Sequence, residues 1–406
     1  MTHHVVVLGG GGAGLPAAKR LARQVRREEV TVTLVLASPD FVERPRLPRI
    51  ATGQRIPVTP VEEYLGGSGV RLVIGSVTGL DPAVRKVVVA RGGQARSLSY
   101  DTLVHAQGST VDDEGVPGAA ECAWSLTDPG EAARVGAVLR EMTVAGGGGR
   151  VVVCGAGPTG IEIAGEVAER FPALGVALVG GSRLDGRMSP KARSYVQRAL
   201  GDLGVAVRTG ALVRRVEAGG LVLDTGERVP FDLCLWAGGY RVPALARASG
   251  LAVDDRGRAL VDATLQSVSH PGVYVIGDAA AVPGRRGPEL PTGRPAGGSA
   301  GPQVADIIAA RLAGREPRPF RPRRVHECVS VGRRRGFVQF LDADERPTGR
   351  VLTGRKAVVF QNATLGGARL LLRHSGPFLA RRRPLAPAAD APADATAGNP
   401  ANGPRP

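Results

Sequence analysis

The chain has 406 residues, 43% of them hydrophobic and 4% aromatic, and a formal net charge of +16. That length accommodates two or three domains around a large core, while no apolar run reaches the roughly 18 residues that a membrane-spanning helix needs. Aromatic residues are too scarce for the stacking platforms of nucleic-acid grooves, so no nucleic-acid partner is expected; the arginine-rich excess instead favours anionic cofactors or anionic surfaces. Cys122, Cys154, Cys234 and Cys328 are scattered, as are the six histidines, which predicts no metal site and a reduced, cytoplasmic setting. The first strand begins within a few residues of the start, so no secretory leader is expected.

The first stretch, Val5 to Gly14, runs VVVLGGGGAG into a segment of helical periodicity. Strand, tight turn and helix follow one another there. Gly9, Gly11 and Gly14 have the G-x-G-x-x-G spacing of a dinucleotide loop. The three positions answer different demands: a turn, backbone approach to a diphosphate, and close helix–strand packing. The diphosphate belongs on the free N–H groups of the helix starting near Ala13. Val30 to Leu36 reads as the second strand. An acid is expected about 20 residues past such a loop, to hold a ribose; here Leu36 occupies the strand end, and Ser38 or Asp40 would have to take its place.

Phe41 to Gly53 is rich in proline, which predicts an irregular segment. It reads equally as a surface loop or as a segment over a bound cofactor, with Arg44 near a phosphate or ring. Val70–Val77 and Lys86–Ala90 are predicted strands. Ser99 to Ser109, SYDTLVHAQGS, is an apolar strand ending in small residues, with Ala106 and Gly108 letting the backbone approach a dinucleotide.

Leu126 to Met142 reads as a helix, and Gly146 to Gly149 as a connector. Arg150 to Glu169 then repeats the opening plan, RVVVCGAGPTGIEIAGEVAE, with Gly155, Gly157 and Gly160 at the same spacing and Thr159 inside the loop. Glu162 and Glu166 share a helix face. Both read either as solvated or, for Glu162 in an expected first turn, as functional. The next strand, Val176–Val179, ends in Gly180, Gly181, Ser182 and Arg183 with no acid, a pattern that leans toward the 2′-phosphate of NADP, although Arg183 reads equally as a surface residue. Leu221–Val229 is a predicted hairpin, and Leu233–Tyr240, LCLWAGGY, repeats the crossing strand with Gly238 among its small residues. Gly272 to Val282 delivers Gly277 and Asp278 at a strand's carboxyl end, where α/β sheets bind ligands. Pro302 is predicted to open a helix. Gly297 to Gly301, GGSAG, matches a nucleophile elbow by letter but has no strand before it, so a serine hydrolase is rejected. From His326 on, CVSVGRRRGFVQFLD and RVLTGRKAVVF read as antiparallel strands. Arg369–Arg383 is apolar and basic, and the residues from Leu385 on are Ala/Pro/Gly-rich and expected to be disordered.

Taken together, VVVLGGGGAG, YDTLVHAQGS, VVVCGAGPTGIEIAGE, LCLWAGGY and VYVIGDAAAV resemble the two-dinucleotide-binding flavoproteins, most closely the type II NADH dehydrogenase and apoptosis-inducing-factor-like oxidoreductases. The resemblance implies an α/β fold with two Rossmann-like domains. The FAD-binding domain spans residues 1–112 and 246–322, the NAD(P)H-binding domain (113–245) is inserted in it, and a small C-terminal α+β domain (323–383) and a tail (384–406) follow. It implies FAD on Gly9, Gly11 and Gly14 with Asp278 on its ribityl–phosphate side, and NAD(P)H on Gly155, Gly157 and Gly160 with the nicotinamide near Glu162. Hydride would then pass from nicotinamide to flavin, and electrons to a quinone or another small-molecule acceptor. No paired cysteines follow the first loop, which disfavours a disulfide reductase. The A-Q-G at Gln107 and the segment RPAGGSAGPQVAD depart from the family pattern and leave the acceptor open. The competing readings are a flavoenzyme acting on one soluble pathway substrate and a nucleotide-holding sensor without fast turnover. Peripheral membrane contact through the basic C-terminal segment and a homodimer are both compatible with the sequence.

Overall fold

The computed structural model describes residues 2–144, 148–181, 184, 188–283, 294–321, 324–342, 344–374 and 384–386. Strand β1 (His3–Leu8) enters the first glycine turn and continues as helix α1 (Gly14–Gln24). β2 (Val30–Leu36) follows, then α2 (Leu47–Ala51) and β3 (Arg71–Ile74). An antiparallel meander of β4 (Ser76–Asp81), β5 (Lys86–Arg91) and β6 (Gln94–Ser99) leads into β7 (Thr102–His105). The connecting strand β8 (Thr110–Val111) then takes the chain to a second unit.

That unit contains β9 (Trp124–Ser125), α3 (Pro129–Val144), β10 (Arg150–Cys154), α4 (Pro158–Arg170), β11 (Gly175–Gly180), α5 (Pro190–Gly201) and β12 (Ala206–Thr209). A second meander, β13 (Val213–Glu217), β14 (Gly220–Leu223) and β15 (Arg228–Pro230), precedes β16 (Leu233–Trp236). The return strand β17 (Tyr240–Arg241) brings the chain back to the first unit, where β18 (Val273–Val275) and α6 (Arg294–Leu312) complete it. The C-terminal region is a sheet of β19 (His326–Val331), β20 (Arg335–Leu341) and β21 (Pro347–Thr353), followed by α7 (Gly354–His374).

The two parallel sheets have one plan. The first runs β18–β7–β1–β2–β3 and the second β9–β16–β10–β11–β12. Each glycine-loop strand lies between its crossing strand and the strand after the helix. Because β18 comes after the second unit in sequence yet closes the first sheet, the second unit is inserted in the first. Val5, Val7, Leu8, Leu34 and Leu103 fill the first core without exposure, and Val151, Val153, Leu178 and Leu235 the second. Such all-round burial is why these strands read as continuous apolar runs.

Several local expectations are corrected. The proline-rich 41–53 segment is not irregular throughout: a 3₁₀ turn at Arg44–Arg46 and α2 form there, because each proline sits in the first turn, where its missing N–H costs nothing. Pro302 does not open its helix but lies inside α6. The apolar run Ala357–Phe360 belongs to α7, not a strand; Gly354 turns the chain at φ 66° and the helix packs across β20. The expected strand Val70–Val77 is two, β3 and β4, broken at Gly75 and placed in different sheets, and two further meander strands, Gln94–Ser99 and Val213–Glu217, were not legible. Gly146 and Gly147 of the expected Gly146–Gly149 connector, Ser182, Arg183, and the stretches 375–383 and 387–406 lie outside the described residues.

Candidate functional site

Both glycine loops have the geometry their spacing demands. Gly9 and Gly155 turn the chain at φ 101° and 112°, conformations that a side chain rarely adopts. A Cβ on Gly14 would lie 1.9 Å from the Gly9 carbonyl oxygen, and one on Gly160 1.8 Å from that of Gly155, so each helix start is packed onto its own turn. Gly11 and Gly157 face open space, with nothing within 4 Å of an added Cβ. Closed packing below and an open flank beside a helix N-terminus is a cradle for a diphosphate. The residues therefore fit an adenine dinucleotide at each loop.

Around the first loop the predicted residues converge. The Ala106 carbonyl oxygen would stand 2.5 Å from a Cβ on Gly9, and the Ala106 Cβ 3.0 Å from one on Gly14. Gly277, at φ 73°, abuts Ala13. Ser109, just past Gly108, joins two more of them: its Oγ donates to Asp278 Oδ2 at 2.6 Å, and its carbonyl accepts from the Arg44 guanidinium. Sequence reasoning missed Ser109 as the link; only the pairing of β7 with β18 brings it to Asp278. The Gln107 side-chain oxygen is buried there without a partner among the described residues, a further polar group available to a ligand. Ser38 and Asp40 are exposed beyond β2, and the Ser38 Oγ accepts from the Asp40 N–H at 3.3 Å.

The second loop is met by the second crossing strand. The Ala237 carbonyl oxygen would be 2.3 Å from a Cβ on Gly155, and Gly238 packs on the Trp236 ring. Thr159 Oγ1 lies 2.5 Å from the Tyr240 hydroxyl. Gly180 ends β11 against Ala156, and no acid stands at Gly180 or Gly181.

Glu162 is not in the first turn of α4, which contains no acid, but just beyond it, and neither it nor Glu166 is solvated. Glu162 is 3% exposed. Its carboxylate accepts from the Ser330 N–H at 3.2 Å, the Ser330 Oγ at 3.3 Å and Gln361 Nε2 at 3.2 Å. The C-terminal sheet and α7 therefore cover it. Glu166, one helical turn on, accepts from Thr52 Oγ1 at 3.2 Å and pairs with Arg333 at 3.4 Å and Arg49 at 3.7 Å. Burial pushes its carboxyl pKa up, against the pull of the two guanidinium groups. So α4 presents two buried acids to a junction of α2, the β19–β20 turn and α7. No periodicity in the sequence placed the C-terminal strands over that face.

The letters of GGSAG also find a structural reason. They lie in α6, where α6 runs against α1, and a Cβ on Gly301 would stand 2.2 Å from the Ala13 carbonyl oxygen. The cysteines are free thiols, and Cys154 and Cys234 meet at 3.6 Å inside the second sheet, away from the first loop. Among the described residues no helix is long and apolar enough to cross a membrane.

A family model described as pyridine nucleotide-disulphide oxidoreductase matches residues 3–298. An NADH dehydrogenase-like protein of Mycobacterium tuberculosis is 35% identical over 295 residues, covering 68% of this chain and 72% of the relative. A type II NADH:quinone oxidoreductase of the same organism is 30% identical over 332 residues, covering 70% and 67%. Among solved structures, NDH2 from Plasmodium falciparum in complex with NADH superposes with a TM-score of 0.77 at 14% identity, over 92% of this chain and 97% of that one. A Bacillus anthracis CoADR-RHD structure aligns with a TM-score of 0.73 at 21% identity over 84% of this chain, which spans 62% of that longer protein.

Proposed function

Because the chain belongs to the pyridine nucleotide-disulphide oxidoreductase family, whose cofactors are FAD and NAD(P)H, we propose that it oxidises NAD(P)H and delivers the electrons to a quinone-type acceptor. In this reading FAD occupies the first loop and NAD(P)H the second. When bound, the nicotinamide supplies hydride and the flavin relays its electrons. The protein's task is to hold two rings in register and keep water from them. Gly9, Gly11, Ala13 and Gly14 receive one diphosphate, and Gly155, Gly157, Thr159 and Gly160 the other. Ala106, Gly108, Gly238 and Gly277 let the backbone come close, while Arg44 and Asp278, tied through Ser109, fix the polar side of the first site. Glu162 serves at the junction of the second loop with the C-terminal sheet, where its carboxylate accepts from Ser330 and Gln361. The observation that carries the reading is the pair of parallel sheets that share the order crossing strand, glycine-loop strand and the two strands after it, each with its open glycine cradle.

Quinone as acceptor rests on the type II NADH:quinone oxidoreductase relatives. On the same reading, α7 contacts an anionic bilayer peripherally: Val359, Leu370 and Leu371 are exposed on a helix that also carries Arg355, Lys356 and Arg373. The chain works at that surface from the cytoplasmic side.

The test is anaerobic titration of the purified flavoprotein with NADH and with NADPH, followed through flavin absorbance, then reoxidation by a quinone panel. Bleaching by a pyridine nucleotide and rapid reoxidation by quinone are expected. Flavin that bleaches only when an organic substrate is added would sink the proposal. The missing acid at the tip of β11, with Arg183 beyond it, sets the expectation that NADPH is accepted. Arg183→Ala should lose NADPH affinity selectively, and an unchanged NADPH/NADH preference would remove that idea. Glu162→Ala should keep FAD and slow either flavin reduction or its reoxidation; parental stopped-flow traces in both half-reactions would rule out its role.

A further inference from the structure

The two chain crossings between the dinucleotide units pair with each other. β8 and β17 form an antiparallel ribbon in which Thr110 faces Arg241 and Val111 faces Tyr240. The ribbon is pinned on the second unit's side, where the Asp112 N–H donates to the Gly239 carbonyl at 3.1 Å and Trp236 Nε1 donates to the Asp112 carbonyl at 2.7 Å. The backbone of Tyr240 is thus fixed, while the residue is 53% exposed, one of the few aromatics in a chain that has five tyrosines. The phenol reaches across to Thr159 at the start of α4, hydroxyl to hydroxyl at 2.5 Å. It therefore stands at the mouth of the second glycine loop, whose middle position, Gly157, is open.

In a bond between two hydroxyls one donates and the other accepts, so one proton of the pair is spent on the protein itself. An anionic diphosphate, or the ribose hydroxyls next to it, would engage both. We propose that Tyr240 closes the second dinucleotide pocket, exchanging its bond to Thr159 for one to the diphosphate–ribose segment of NAD(P)H and laying its ring over the ligand's solvent edge. This rests on the reading that NAD(P)H occupies the second loop. It adds a residue contributed by the interdomain ribbon rather than by either loop. The same ribbon begins next to Ser109, which serves the first site, so a change confined to the Tyr240 side chain leaves the Arg44–Ser109–Asp278 contacts in place.

The experiment measures equilibrium binding and dissociation rates of NADH and of ADP-ribose to the FAD-loaded parent, Tyr240→Phe and Tyr240→Ala, with flavin-to-protein ratio and circular dichroism as integrity checks. ADP-ribose carries the diphosphate and both riboses but no nicotinamide. Losing one hydrogen bond to a charged group should weaken binding by about tenfold in Tyr240→Phe. Tyr240→Ala should lose more and release ligand faster. The loss should be the same for both ligands, with KM for NADH raised more than kcat is lowered, and flavin content should equal the parent's. Constants within twofold of the parent in both variants, or a loss seen with NADH but not ADP-ribose, would overturn the proposal. A parent that binds neither ligand would instead overturn the assignment of the second loop, and Tyr240 with it.

Discussion

Gly165 in α4 and Gly332 in the β19–β20 turn meet backbone to backbone: a Cβ on Gly165 would lie 2.6 Å from the Gly332 nitrogen. This contact seats the C-terminal sheet on the helix of the second loop and brings Ser330 to Glu162. Glycine inside a helix ordinarily costs up to about 1 kcal/mol relative to alanine. Here the neighbouring atom is backbone and cannot turn away, so overpacking, at about 1–3 kcal/mol, outweighs the propensity gain. Gly165→Ala should lower stability in urea and thermal unfolding. A variant as stable as the parent would show that the contact relaxes freely.

The Ser109 link makes a separate prediction about flavin. Removing its hydroxyl deletes the 2.6 Å bond to Asp278 but leaves the carbonyl that receives Arg44. A hydrogen bond to a charged group is worth about 1.5–3 kcal/mol. Ser109→Ala should therefore let Asp278 drift and release FAD faster, with a lower flavin-to-protein ratio after dialysis, while Arg44→Ala should add to the loss. Retention of flavin equal to the parent's under dilution would remove Ser109 from the site.

These two contacts mark how far the sequence could be read. Both sheets and both cradles were legible because each loop leaves a local trace, an apolar strand, three spaced glycines and a periodic helix, and because the trace occurs twice. Asp278 was legible as a carboxylate at a strand end. Ser109, Tyr240 and the cover over Glu162 were not, since each depends on which strands lie side by side. Ser330 and Gln361 reach Glu162 from far along the chain, and nothing near Glu162 announces them. The helices at Leu47 and Gly354 were missed for another reason: local composition pointed away from helix, and packing against neighbouring elements decided the outcome.

Glu166 carries a prediction with a pH sign. Its side chain is 1% exposed, and Arg49 and Arg333 supply the opposing charge. Breaking a buried pair from one side costs about 3–5 kcal/mol because the other charge remains; the 3.7 Å separation from Arg49 and the second guanidinium place Arg49→Met at or below the lower figure. Burial already raises the Glu166 pKa, and losing Arg49 raises it further. A carboxyl with a raised folded-state pKa binds protons more readily in the native state, so its penalty grows as pH rises. Arg49→Met should therefore lose more stability at pH 8 than at pH 5, and adding Glu166→Gln should recover much of the loss. Equal losses at both pH values would show that the carboxylate is not what the guanidinium serves.

His105 gives the clearest pH dependence in the first domain. It ends β7 between Leu8 and Val275, is 1% exposed, and neither ring nitrogen has a partner among the described residues. Burial lowers its pKa from 6.5 to about 4. Above pH 6.5 the ring is neutral in both folded and unfolded chains and carries no penalty. Between pH 6.5 and about 4 the unfolded chain takes up a proton that the native chain refuses, so stability falls as pH falls. At 1.36 kcal/mol per pKa unit the total is about 3 kcal/mol. His105→Leu, close in volume and free of unpaired nitrogens, should be at least as stable as the parent at pH 7.5. It should also be more stable by about 2 kcal/mol at pH 5, where most of the penalty has accrued. Urea unfolding of the two proteins across that range measures the difference. Parallel stability curves, with no divergence below pH 6.5, would mean that the ring finds a proton partner on protonation and that the first core is less closed at His105 than its packing indicates.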